Sequence, residues 1–129
     1  MENTQNNETT QDFIDTVQIT EDGGIIKKII KEGKGDLPKN GQEIIAHYEG
    51  TLLDGSVFDS SYSRNTPFNF VLGKGRVIKA WDESFATMKI GEQALIIAKP
   101  EYAYGDNGNI PKIPPNSTLQ FKVELLDFK

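Results

Sequence analysis

The chain has 129 residues, with 14 Lys+Arg, 19 Asp+Glu, one His and no Cys, for a formal net charge of −5. That length suits one domain of ordinary size, and the lack of cysteine removes a disulfide framework, a thiolate zinc site and a cysteine nucleophile together. His47 is the single imidazole, so a multi-histidine metal centre is excluded; pI near 4.9 without a basic stripe lacks the footprint of a nucleic-acid binder.

Residues 1–16 carry Glu2, Glu8, Asp12 and Asp15 and no Lys or Arg, among Asn, Gln and Thr. Such a segment cannot bury enough surface to offset its ordering entropy, so a disordered acidic tail is expected over 1–16 and one domain over 17–129. No basic-then-apolar leader opens the chain, and its longest apolar run, Ala94–Ala98, is far below the ~20 residues of a membrane helix. The expectation is a cytoplasmic, membrane-free monomer.

From Val17 the pattern has period two. Asp22-Gly23-Gly24 separates a short strand, Val17–Thr20, from a longer one, Ile25–Lys31. Glu43–Leu53 then alternates, with Ile44, Ala46 and Tyr48 on one face and Ile45, His47 and Glu49 on the other. After the Asp54-Gly55 turn, Val57–Asp59 is extended, and Phe68 and Phe70 share one side of a strand that ends at Gly73. Ile78, Trp81, Phe85 and Met88 follow the spacing of a short amphipathic helix, closed by Gly91. Gln93–Lys99 returns to strand, a Gly- and Pro-rich loop runs from 101 to 116, and Leu119, Phe121, Val123 and Leu125 mark a final half-buried strand. The fold class is α+β: an antiparallel sheet of about five strands around one short helix, whose Trp81 and Phe85 must be covered by the concave face.

Chemistry that requires a base beside a nucleophile finds little here. His47 is alone, and its strand neighbour Tyr48 faces the other way. Gly33-Lys34-Gly35 and Gly73-Lys74-Gly75 lack phosphate-loop spacing, Asp106–Asn109 reads as a turn, and Asp82-Glu83 reads as solvated near a helix N-terminus. Aromatic density stands out instead. Tyr48, Phe58, Phe68, Trp81, Tyr104 and Phe121 fall on elements that face one another; they make either a plain core or an apolar cavity. The hydroxyls of Tyr48 and Tyr104 need partners if buried, and Asp59 and Arg64 are placed to pair beside them.

Ala46-His47-Tyr48-Glu49-Gly50-Thr51-Leu52, then Gly55 and Phe58-Asp59-Ser60-Ser61, resemble the FKBP family, the immunophilins that bind tacrolimus and rapamycin. Arg64-Asn65, Pro67-Phe68, Leu72-Gly73-Lys74-Gly75 and Val77-Ile78-Lys79-Ala80-Trp81-Asp82 continue the resemblance in order. So do Lys99–Gly105 and the run from Ile113-Pro114-Pro115-Asn116 to Leu125; together they cover about residues 17–129. Ala80 and the Pro111-Lys112-Ile113-Pro114 turn look most like the first domain of the large tetratricopeptide-containing members.

The resemblance implies a twisted antiparallel sheet wrapped around one helix and peptidyl-prolyl cis-trans isomerase activity, with no metal or cofactor. By carry-over, Tyr48, Phe58, Asp59, Trp81, Tyr104 and Phe121 are the catalytic set, with Trp81 as the floor. Arg64, Phe68, Val77, Ile78 and Ile113 complete the ligand-binding set. The Ile78 N–H and the Tyr104 hydroxyl would bond ligand carbonyls, and Asp59 would pair with Arg64 at the edge. The implied partners are proline-containing peptides and proteins, the macrolides tacrolimus and rapamycin, and chaperone or client proteins. The rival reading is a non-catalytic interaction module that uses the same pocket and the 101–116 loop.

Overall fold

The C-terminal alternating run buries every second side chain, Leu119, Phe121, Val123 and Leu125, and so becomes the axis of one antiparallel sheet. The structure is a computed structural model and describes residues 13–129. Its strands are β1 (Asp15–Gln18), β2 (Ile25–Lys31), β3 (Glu43–Leu52), β4 (Val57–Ser60), β5 (Phe68–Val71), β6 (Gln93–Ala98) and β7 (Leu119–Phe128). They pair in the order β1-β2-β6-β7-β3-β4, with β5 also on β3, so the sheet has seven strands where about five were expected. The pattern marks an extended segment at each of the seven; the smaller expected total reflects that β1, β4 and β5 are each only four residues long. β1 also starts at Asp15, so Asp15 and Thr16 of the expected tail are strand; their backbone pairs with Lys28 and Ile29 despite their polar side chains. Residues 1–12 of that tail lie outside the described residues.

Register sets the inner face. Tyr48 lies opposite Val123, Gly50 opposite Phe121, and Ile96 opposite Phe121 from the other side. Facing strand partners share a side of the sheet, so these residues and Ala46, Ala94, Ala98 and Leu125 form one continuous apolar surface. Lys27 falls on this face opposite Ile96. It is 3 % exposed, and its ammonium reaches the Glu92 carboxylate at 2.8 Å and both Thr87 oxygens at 2.9 and 3.0 Å, which satisfies a charge that would otherwise be costly to bury.

Two helices cross this frame. The first, α1 (Ser61–Arg64), is a single turn that the sequence pattern does not mark. It forms because Ser60 caps it, its Oγ accepting from the Ser63 N–H, and because Asn65 adopts the left-handed conformation (φ 53°) at its end. The second, α2 (Lys79–Phe85), buries Ala80, Trp81, Ser84 and Phe85 against the sheet. It stops at Phe85 rather than running to Gly91. Met88 is still fully buried, because tight turns returning to Ser84 O and Phe85 O carry it under the same face. Gly91, at φ +91°, then turns the chain into β6, its N–H bonding Leu125 O.

Candidate functional site

A cavity of about 260 Å³ opens between the inner face, α2 and the 101–116 loop. Trp81 is its floor, 6 % exposed, held edge-on by Tyr48 (ring centroids 4.7 Å apart), Phe68 (5.5 Å) and Phe121 (5.5 Å). Its indole N–H has no acceptor among the described residues. Phe58 closes the wall, edge-to-face on Phe121 at 5.7 Å. Offset and T-shaped contacts of this kind each contribute about 0.5–1.5 kcal/mol beyond buried area, so ring packing adds to the stability of the wall.

Two backbone devices shape that wall. β3 and β4 slip register between Gly50 and Thr51, so that Gly50 faces Asp59 and Thr51 faces Val57, leaving Phe58 as the extra residue of a bulge. The bulge turns the successive residues Phe58 and Asp59 both toward the cavity, which regular alternation forbids. The second device is Gly50. A Cβ there would sit 2.5 Å from Phe58 Cζ and 3.1 Å from Phe121 Cε1, so only glycine lets the two rings meet over the strand.

The polar groups cluster at one edge. The Tyr48 hydroxyl donates to Asp59 Oδ2, Arg64 Nη1 donates to Asp59 Oδ1, and Arg64 Nη2 donates to the Tyr48 oxygen at 3.3 Å. Burial alone would raise the Asp59 carboxyl, but hydrogen bonds from Tyr48 and Arg64 outweigh it and hold the group below the usual aspartate range. Burial, and then the bond to Asp59, push the Tyr48 hydroxyl above its ordinary value. The Tyr104 hydroxyl also rises, from burial and the Asp59 charge. Asp59 is therefore an anion and both tyrosines are neutral donors at neutral pH.

The segment before α2 supplies the remaining side. Val77 and Ile78 line the cavity, and the Ile78 N–H bonds no described residue. This segment is pinned by Asp82, whose carboxylate accepts from the Gly73 N–H at 2.9 Å and the Gly75 N–H at 3.1 Å. Asp82 is thus a tie across the loop, not the solvated residue its position beside Glu83 suggested; Glu83 is exposed. On the far side the roof loop contributes Tyr104. Lys112 Nζ reaches Phe58 O at 3.4 Å, and Asn109 and Ile113 bond each other's backbone at 2.8 and 3.0 Å.

Of the residues singled out from the sequence, the structure brings Tyr48, Phe58, Asp59, Phe68, Val77, Ile78, Trp81, Tyr104 and Phe121 to one cavity. Arg64 and Ile113 are not on its lining. Arg64 stands behind Asp59, and Ile113, 3 % exposed, belongs to an adjoining recess of about 210 Å³ that shares Phe58, Asp59 and Tyr104 with the first. The pattern reading did not select Arg76, which lines the cavity, or Gly50 as a determinant of its shape. Arg76 sits next to Val77 in the recognised run, and its place one residue before a wall residue was the available signal. His47 lies outside the cavity, its ring stacked on Tyr62 at 4.6 Å and its Nδ1 2.7 Å from Ser61 Oγ.

Comparison with known proteins gives a consistent result. Residues 34–126 match the family model described as FKBP-type peptidyl-prolyl cis-trans isomerase. The chain is 56% identical over 110 residues to peptidyl-prolyl cis-trans isomerase FKBP4 of Homo sapiens, covering 84% of this chain and 24% of that one. It is 51% identical over 114 residues to FK506-binding protein 59 of Drosophila melanogaster, covering 88% of this chain and 26% of the relative. FK506-binding protein 1 of Dictyostelium discoideum is 52% identical over 106 residues, covering 82% of this chain and 99% of the relative. The chain thus spans about a quarter of the length of the first two relatives and nearly the whole of the third.

Proposed function

The chain belongs to the FKBP-type peptidyl-prolyl cis-trans isomerase family, and from that premise we propose that its aromatic cavity catalyses rotation about X-Pro bonds and takes tacrolimus and rapamycin. The observation that carries this reading is the Trp81 floor walled by Tyr48, Phe58, Phe68 and Phe121, with donors at its edge and no imidazole or thiol on its lining.

An X-Pro bond rotates in tens to hundreds of seconds unaided, because rotation breaks amide resonance against a barrier of ~18–20 kcal/mol. No covalent bond breaks, so neither nucleophile nor proton shuttle is required. At the twisted transition state the amide oxygen is less negative and the nitrogen more basic. A dry aromatic cavity therefore disfavours the planar, more polar amide relative to the twisted one. A thousandfold acceleration needs about 4 kcal/mol of such differential stabilisation. In this reading the proline ring rests on Trp81, the free Ile78 N–H takes one carbonyl, and the neutral Tyr104 hydroxyl donates to a flanking one, holding the peptide in a turn. Asp59, fixed by Tyr48 and Arg64, lies where it can accept from a ligand hydroxyl.

The test is cis-trans exchange of a short Leu-Pro or Phe-Pro peptide followed by NMR, with the protein and then with added rapamycin. Acceleration abolished by the drug supports the proposal. No acceleration by a folded protein that binds the drug overturns the catalytic part and leaves a binding module.

A second reading draws on the roof loop. Ile110 is 73 % exposed at its tip, beside the exposed Pro111 and Lys112, an apolar group displayed toward solvent and suited to a protein partner such as a chaperone or client. Under this reading Ile110→Ser weakens partner capture while peptide exchange is retained.

A further inference from the structure

The cavity and its adjoining recess share one wall, Phe58, Asp59 and Tyr104, and each has one further cation on its lining: Arg76 in the cavity and Lys112, which reaches Phe58 O at 3.4 Å, in the recess. The charges nearby do not neutralise these two. Asp59 is paired with Arg64 and accepts from Tyr48. Asp82 accepts from the Gly73 and Gly75 N–H groups and makes no ion pair with Arg76. Asp106, on the roof loop, lines neither recess. Among the described residues Arg76 and Lys112 have no carboxylate within ion-pair distance, and Lys112 meets only a backbone carbonyl. Both are exposed. A protein of net charge −5 therefore displays a locally positive mouth around an apolar floor.

We propose that Arg76 and Lys112 select among X-Pro substrates, favouring segments that carry a carboxylate side chain within about two residues of the proline on either flank. The inference rests on the isomerase reading of the cavity and specifies which substrates it prefers. With the proline ring over Trp81, a bound chain leaves along the cavity on one side and along the recess on the other, so its two flanks pass the two cations. Exposed ion pairs are individually weak, but a change from Glu to Lys on a flank replaces attraction with repulsion, so its effect counts twice. Two flanks then give about a tenfold span in kcat/KM at low salt, through both residence and steering.

Blocked pentapeptides with Leu-Pro-Phe at the centre and Glu, Gln or Lys at both ends test this. Exchange rates are measured by NMR, and affinities by titration of the Trp81 indole signal, at ~20 mM and ~500 mM salt, where screening lengths differ severalfold. The expected order at low salt is Glu, then Gln, then Lys, with a Glu-to-Lys ratio of about ten that falls to about two at high salt. R76E and K112E each narrow the ratio, and the double variant inverts it. Equal rates and equal affinities for the three peptides in the native protein overturn the proposal, as does an order unchanged in the double variant. If no peptide is accelerated but affinities follow the predicted order and invert, the selectivity stands and the isomerase reading falls.

Discussion

Replacing Tyr48 by Phe separates the two roles that the structure gives this side chain. The ring keeps its edge contacts with Trp81 at 4.7 Å and Phe68 at 6.0 Å, so the cavity floor is preserved. What disappears is one hydrogen bond to the Asp59 carboxylate and one from Arg64 at 3.3 Å. Hydrogen bonds to charged groups contribute about 1.5–3 kcal/mol when well shielded. Here the Asp59 and Arg64 side chains are 42 % and 48 % exposed, and water replaces much of what is lost. The expected loss is about 1 kcal/mol at pH 7, well short of the ~3–5 kcal/mol for truncating a buried aromatic to alanine. Its pH dependence identifies the cause. Because Asp59 is held below its ordinary value, the stability it contributes is present above about pH 4 and is lost as pH falls through its native pKa. Tyr48→Phe lets that pKa rise toward the unfolded value, so the gap between native and variant is widest at pH 7 and shrinks on acidification. Urea unfolding at pH 7 and pH 3, with the Asp59 carboxyl followed by carbon NMR, gives the readout. An equal stability gap at both pH values, or an unmoved Asp59 titration, would refute the Tyr48–Asp59–Arg64 assignment.

Gly50→Ala places a Cβ 2.5 Å from Phe58 and 3.1 Å from Phe121, so we expect a loss of about 1–3 kcal/mol with a displaced Phe58 ring, seen as weakened rapamycin affinity and ring-proton shifts confined to those two residues. Trp81→Leu removes the floor against which five other aromatic rings pack; stability falls by about 2–4 kcal/mol in chemical unfolding and peptide exchange drops to the uncatalysed rate. Ser61→Ala strips a fully buried hydroxyl that accepts from the Tyr48 N–H at 2.7 Å and contacts His47 Nδ1 at 2.7 Å, and costs about 1–3 kcal/mol in the same assay. With Asp59 lowered and Tyr48 and Tyr104 raised, these three cavity groups keep one charge state across neutrality, so kcat/KM is expected to be flat from about pH 6 to 8.5; a bell-shaped profile counts against it.

The long strands were readable because burial of one face imposes period two: Leu119, Phe121, Val123 and Leu125 announce β7 without reference to anything else. The helix was readable in position but not in extent. Met88 satisfies the helical spacing, yet it is buried through turns that follow the helix, and periodicity records only that a side chain points inward. The same limit hides depth. Phe68 and Phe70 are two apart and share a face, but Phe68 lines the cavity while Phe70, 6 % exposed, packs behind it against Trp81 and Phe85. β1 is legible only in its second half, Val17–Gln18, because Asp15 and Thr16 are polar and held by backbone pairing with β2; α1 carries no apolar pattern and rests on its serine cap.

For the site, the aromatic set was legible as a cluster and, through the family motifs, as a pocket, whereas its shape depends on features that have no side-chain signature. The bulge at Phe58 breaks the alternation that would have sent Asp59 to the opposite face, and a one-residue register slip cannot be read from Val57-Phe58-Asp59 alone. Gly50 matters for the atom it lacks, and its role becomes visible only when the Phe58 and Phe121 rings are placed above it. Asp59 and Arg64 are five apart and could be paired by inspection, but the Tyr48 hydroxyl joins them from another strand, and it is that third group which fixes the carboxylate at the cavity edge. Arg76 carries no pattern signal of its own, since it falls between Gly75 and Val77 at a position outside the family motif. Here Asp82 ties the loop back through the Gly73 and Gly75 N–H groups, and that tie turns an unremarkable surface cation into part of the cavity wall.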